Sequence, residues 1–285
     1  MIRYLLPFLV MLLAITLSGQ ETFQVTVLGD RFIDDPMSTD TIPEPGNFRW
    51  AVEQSDLTFE GVDTIVFSES FSSLDTVFMI FPDPFPISLT IGRPVVIYGQ
   101  DVVVSAKESG QILQIAQGAL VENLQFVNGS TDFVGGAVNC NSFGEQITLR
   151  NCQFKNNSSN ALDNQGRGAA VIHSFGLLVI ENCLFENNFG TLGLGAAISS
   201  EGFWQEGDPI RQIIISDCLF VDNEGAAPVL VGCATDIFLL DSSLLDIALS
   251  EGCETFDIPG PNLVVDTLFT VMGGDTLSVV LNPLD

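Results

Sequence analysis

Ile180-Glu-Asn-Cys-Leu-Phe185 is one of four copies of a pattern that decides the fold of this chain. The others are Val121-Glu-Asn-Leu-Gln-Phe126, Leu149-Arg-Asn-Cys-Gln-Phe154 and Ile215-Ser-Asp-Cys-Leu-Phe220, with a worn fifth copy at Leu240-Asp-Ser-Ser-Leu-Leu245. The phenylalanines are spaced by 28, 31 and 35 residues. A period in the range of roughly 20–50 residues marks one supersecondary unit stacked on itself. Such a unit cannot bury its apolar face alone, so the stack supplies the core.

A second pattern follows each phenylalanine: Gly135-Gly-Ala-Val138, Gly168-Ala-Ala-Val171 and Gly195-Ala-Ala-Ile198, with Ala227-Pro-Val229 as a worn copy. Short β-branched runs then lead back to the first pattern, at Ile147–Leu149, Leu177–Ile180 and Ile213–Ile215. Each coil is therefore expected to carry about three short strands joined by bends, with like residues of successive coils in parallel register. That is a parallel β-helix. Asn123, Asn151, Asn182 and Asp217 fall at a bend, where Asn tolerates the left-handed conformation. Phe126, Phe154, Phe185 and Phe220 are predicted to point inward as a column.

Upstream, short strands are expected at Phe23–Val27, Thr64–Phe67, Ile87–Ile91, Val95–Tyr98, Val102–Ser105, Ile112–Ile115 and Leu120–Phe126. Residues 47–55 read as a short helix with Asn47 as N-cap and Phe48, Ala51 and Val52 on one face. It would cap the N-terminal end, where a solenoid otherwise exposes strand edges. The expected organisation is a signal peptide over 1–19, a strand, acidic loop and capping helix over 20–62, the β-helix over 63–250, and an irregular last coil or cap over 251–285.

The signal peptide is read from Arg3, the apolar run Tyr4–Leu17 and Ser18-Gly19. That apolar run is shorter than the roughly 20 residues of a membrane helix. No later run is long and apolar enough, so the processed chain is expected to be secreted or held at a cell surface without a transmembrane segment. A portion of a longer surface protein is the remaining option. The chain holds 36 acidic and 9 basic residues, a formal net charge of −27. Nucleic acid is disfavoured as a partner, because its binding rests on Lys and Arg.

Cys152, Cys183 and Cys218 share one repeat position and read as stacked core thiols. Cys233 and Cys253 lie in loop-like contexts and form a candidate disulfide pair. The one histidine, His173, aligns with Cys140, Ser200 and Val231 and reads as an inward, hydrogen-bonded core residue. Among the basic residues of the coils, Arg150 takes an outward position near acidic neighbours. Asp30, Asp34 and Asp35, with Asp40 and Glu44 nearby, are the candidate ligands for Ca²⁺, a hard cation that takes clustered carboxylates. Phe203 and Trp204, in the loop 201–211, are candidate ligand-binding aromatics for a glycan or a protein partner.

Two resemblances follow from these motifs. The Gly-Gly-Ala-Val and Phe-x-x-Asn pairs, the latter at Phe154–Asn157, Phe185–Asn188 and Phe220–Asn223, resemble the repeats of the chlamydial polymorphic outer membrane proteins. The first copy departs, reading Phe126-Val-Asn-Gly129. Asn47-Phe-Arg-Trp-Ala-Val52 followed by Asp63-Thr-Ile-Val-Phe67 resembles the opening segment of secreted β-helix proteins of the pectin-lyase-like superfamily, including those with a CSLREA-type motif, whose Cys is missing here. The resemblance implies a right-handed parallel β-helix, all-β apart from the helix. Relatives on that fold include adhesins, surface-array proteins and polysaccharide lyases or hydrolases, so fold does not assign function. No paired carboxylates with a Gly-His-Gly stand on the coils. The expected function is non-catalytic: surface adhesion, glycan binding or structure. The alternative is a polysaccharide lyase or glycoside hydrolase.

Overall fold

A computed structural model describes residues 20–30, 32–34, 41–58, 61–79, 88–108, 110–131, 136–159, 170–190, 195–200, 211–225, 227–231, 235–240, 247–249 and 262–265. They form a right-handed parallel β-helix with one described helix. Its first face climbs through Thr22–Val25, Asp63–Phe67, Val95–Tyr98, Ala119–Glu122, the ends of Val138–Arg150 and Val171–Glu181, then Arg211–Ser216, Thr235–Leu240 and Asn262–Val265. The second face stacks Thr76–Phe78, Val103–Ser105, Gln125–Val127, Gln153–Lys155, Leu184–Glu186 and Leu219–Val221. The third runs from Leu89–Ile91 and Leu113–Ile115 through the starts of the two long strands to Gly195–Ser200, Ala227–Val231 and Ile247–Leu249. All these pairings are parallel; the hairpin of Phe32–Asp34 with Thr41–Pro43 is antiparallel.

The register is set by the repeat. Phe126 pairs with Phe154, Phe154 with Phe185 and Phe185 with Phe220. The rings stack almost face to face, with centroids 5.2, 4.8 and 4.9 Å apart. Coil spacing, near the usual ~4.8 Å between strands, imposes this geometry on identical residues. Val121, Leu149, Ile180 and Ile215 form a parallel aliphatic column, fully buried beside it.

Two features depart from the expected strands. Leu120–Phe126 is not one strand: it breaks into Ala119–Glu122 and Gln125–Val127. Asn123 turns the chain between them at φ 56°, and Asn151, Asn182 and Asp217 do the same at 51°, 50° and 53°. A strand cannot continue through that left-handed conformation, which Asn and Asp tolerate best among residues with a Cβ. Conversely, the corner between the third face and the next first face is not always a bend. Val138–Arg150 and Val171–Glu181 run through it as continuous strands, with register shifts after Cys140 and Asn141. Gly176 serves this crossing: its φ is 80°, and a Cβ there would lie 2.6 Å from the Ser142 carbonyl oxygen.

Inside the second corner lies an amide ladder. Asn157 Nδ2 donates to the Phe126 carbonyl at 3.0 Å and to Asn188 Oδ1 at 3.0 Å. Asn188 Nδ2 donates to the Phe154 carbonyl at 2.9 Å and to Asn223 Oδ1 at 2.8 Å. The departing first copy now has a reason. Gly129 stands where the ladder begins; its N–H donates to Asn157 Oδ1 at 2.9 Å, and a Cβ would meet the Gly136 oxygen at 1.8 Å. Asn188→Ala removes the acceptor of the buried Asn157 N–H and the side-chain bond to the Phe154 carbonyl, so we expect a loss of about 1–3 kcal/mol in urea unfolding. A midpoint equal to the parent's would show that the ladder contributes nothing net.

The helix Phe48–Leu57 closes the N-terminal end. Asn47 Oδ1 accepts the Trp50 N–H at 2.8 Å as N-cap. Phe48, Ala51 and Val52 are buried, and Phe48 meets Phe67 of the first coil at 5.2 Å. Asp56 accepts the Gly92 N–H at 2.9 Å, tying the helix to the loop after Leu89–Ile91.

Candidate functional site

The outer side of the first face carries a hydrogen-bonded polar array. Tyr98, Glu122, Arg150, Glu181 and Ser216 lie in one outward column, one residue per coil. Their parity is opposite to that of the buried aliphatic column, which is why they face solvent. Arg150 Nε donates to Glu181 Oε2 at 2.7 Å. That bond and the Glu181 charge raise the Arg150 pKa further above its usual value. Around the corner, Asn182 Nδ2 donates to Asn151 Oδ1 at 2.7 Å, and Asn151 Nδ2 to Glu122 Oε1 at 3.3 Å. Tyr98 is 37% exposed at the lower end of the array. Beside it, Val62, Pro94, Val96, Gly118, Leu120 and Glu145 line a shallow, mostly apolar depression.

The other described outward cation of the repeats lies on a different face. Lys155, on the second face, meets Glu186 at 3.2 Å. The corner Asn151-Cys152 separates it from Arg150. Each cation thus pairs with a carboxylate one coil further on. Arg167 lies outside the described residues.

His173 is sealed in the core. It pairs in register with Cys140 on one side and Ser200 on the other. Nε2 lies 3.1 Å from the Gly176 carbonyl and Nδ1 3.1 Å from Ser200 Oγ. A carbonyl only accepts, so Nε2 carries the proton and neutral Nδ1 accepts from the Ser200 hydroxyl. Burial first, and the Arg211 charge second, push the imidazole pKa down to about 4. The unfolded chain takes up this proton near pH 6.5, whereas the folded chain resists until about pH 4. Stability is therefore full above pH 6.5 and falls between 6.5 and 4, by about 3 kcal/mol from this group. Urea midpoints of the parent and His173→Gln at pH 7.5, 5.5 and 4.5 test this; identical pH slopes would refute it.

Cys152, Cys183 and Cys218 stack in the buried corner, as the repeat predicts. The Cys152 N–H approaches Cys183 Sγ at 3.4 Å, and the Cys183 and Cys218 thiols reach carbonyls two residues back at 3.3 and 3.2 Å. Burial pushes the Cys140 and Cys183 thiols well above the ordinary range, away from nucleophilic thiolate. Cys233 and Cys253 lie outside the described residues.

Asp30 has a partner that spacing did not reveal. It is buried, and Arg49 of the helix grips both its oxygens, Nε to Oδ1 at 2.9 Å and Nη2 to Oδ2 at 2.7 Å. Arg49 is the arginine of the Asn47–Val52 segment. Asp34 sits in the antiparallel hairpin. Asp35, Asp40, Phe203 and Trp204 lie outside the described residues, as does the segment 1–19. Among the described residues no group of three His, Cys, Asp or Glu side chains is placed to hold a metal ion. Among them also, no helix is long and apolar enough to cross a membrane.

No protein family, curated protein or solved structure matches the chain.

Proposed function

We propose that this is an exported, non-catalytic β-helix protein that works at a cell surface by adhesion, glycan binding or as a structural element. The observation that carries the reading is where its reactive groups lie. His173 and the four described cysteines are buried, while Arg150 and Lys155 are tied to Glu181 and Glu186. A lyase needs an unpaired base beside its substrate, and a hydrolase needs two carboxylates flanking the bond to be cleaved. The outer first face instead carries planar polar side chains on successive coils at Tyr98, Glu122, Arg150 and Glu181, a surface suited to holding an extended partner. Export is supported by the basic, apolar and small-residue order of residues 1–19.

The deciding experiment is a glycan-array screen of the purified chain, with and without Ca²⁺, followed by an ultraviolet assay for unsaturated products and a reducing-end assay on every glycan bound. Binding without product is the expected result. Turnover would overturn the reading in favour of the lyase or hydrolase alternative, with Glu122, Arg150 and Glu181 as the first residues to substitute. A dependence on Ca²⁺ would direct attention to Asp34 and Asp35, because Asp30 is held by Arg49.

A further inference from the structure

We infer that the outer second face at strand Leu219–Val221 is a docking patch for a cationic polypeptide segment carrying exposed apolar side chains. Two independent changes meet in this coil, one of them beginning in the coil before it. Along the outward column, Gln125 and Gln153 are followed by Leu184 and then Leu219, all in register. Leu219 is 48% exposed, and its strand neighbour Val221 is half-buried on the same outer side. The apolar surface thus begins at Leu184 and is exposed at Leu219, where the two earlier coils present amides.

The second change is in charge. Both corners that bracket the strand switch from amide to carboxylate. Asn151 and Asn182 give way to Asp217 at one corner, and Asn156 and Asn187 to Asp222 at the other, all at positive φ. Glu224 is exposed next along the chain and bridges to Phe189, itself 40% exposed. Backbone geometry does not ask for the switch, since Asn holds the same conformation one coil earlier. Along the neighbouring outward column the described cation is Lys155, two coils away and bound to Glu186. An apolar strand with carboxylates at both ends complements a partner whose apolar side chains are flanked by Lys or Arg. It repels a second copy of this acidic chain.

The patch goes beyond the adhesion reading and needs only the folded solenoid, so a failed glycan screen leaves it standing. The test is binding of a synthetic alternating lysine–leucine peptide to the purified chain, by calorimetry at two salt concentrations. An alternating glutamate–leucine peptide is the control. The variants are Leu219→Gln and the double Asp217→Asn/Asp222→Asn, which restore residues that earlier coils hold at the same places and so keep the fold. We expect the lysine peptide alone to bind, with affinity about tenfold weaker in either variant and weaker at higher salt. Absence of binding overturns the proposal. So does equal binding by parent and variants, which would mean diffuse attraction to the net charge. Loss in only one variant would refute the pairing of apolar and acidic contacts. Self-association abolished by Leu219→Gln would assign the patch to a second copy instead.

Discussion

Asp30→Ala is expected to destabilise the chain by about 3–5 kcal/mol, among the largest effects of any single substitution in the described residues. Arg49 and Asp30 are 4% and 1% exposed at their side chains, and the pair is bidentate. Removing the carboxylate leaves a guanidinium that water cannot reach, at the point where the capping helix meets the segment entering the hairpin. The cap would loosen, and with it the seal over Phe67 and Val25 of the first coil. Arg49→Met should be similarly harmful, because it takes the bidentate cation away from the buried Asp30 carboxylate. The double substitution Asp30→Leu/Arg49→Met should recover much of the loss, because a desolvated pair contributes little beyond an apolar pair of similar volume. Urea unfolding by circular dichroism reads all three. If Asp30→Ala shifts stability by less than about 1 kcal/mol, the pair is solvated in solution and the buried arrangement is wrong.

Phe154→Ala is expected to lose about 3–5 kcal/mol through the void it leaves between two coils. Phe154 touches rings on both sides, at 5.2 Å below and 4.8 Å above. Nearest-neighbour coupling carries solenoid stability, so the damage interrupts the stack rather than one contact. Phe126→Ala should cost less, because below it the column passes to Val104 and has no ring to stack on. Phe154→Leu, which keeps most of the volume, should cost about 1 kcal/mol. The informative comparison is the ordering. A Phe126→Ala loss equal to that of Phe154→Ala would mean that ring-on-ring packing adds nothing to area burial.

Much of the architecture was legible because a repeat converts sequence spacing directly into spatial register. Once the Asn-Cys-x-Phe copies are aligned, parallel strands at a fixed separation put Phe on Phe, Cys on Cys and Asn on Asn. The inward place of His173 follows from parity in the same way. The capping helix was legible from Asn47 and the spacing of Phe48, Ala51 and Val52. The repeat marked Asn123 as a bend, yet Leu120–Phe126 also read as one strand; the backbone path divides that run between two faces.

Other features were hidden for a physical reason: they depend on contacts between segments that no local pattern relates. Asp30 stood in an acidic loop and read as a cation ligand, yet a guanidinium from 19 residues further on neutralises it. Charge clustering along a chain does not reveal which charges are desolvated together. Arg150 and Lys155 lie five residues apart, but a left-handed corner sends them to different faces, each toward its own glutamate. By itself, then, the sequence determined the stacked coil, its inward columns and its cap, since periodicity and parity are local. The tertiary structure alone decided which polar groups are buried together, which cations are neutralised and where an apolar strand lies open beside carboxylates, because burial and pairing belong to the assembled surface.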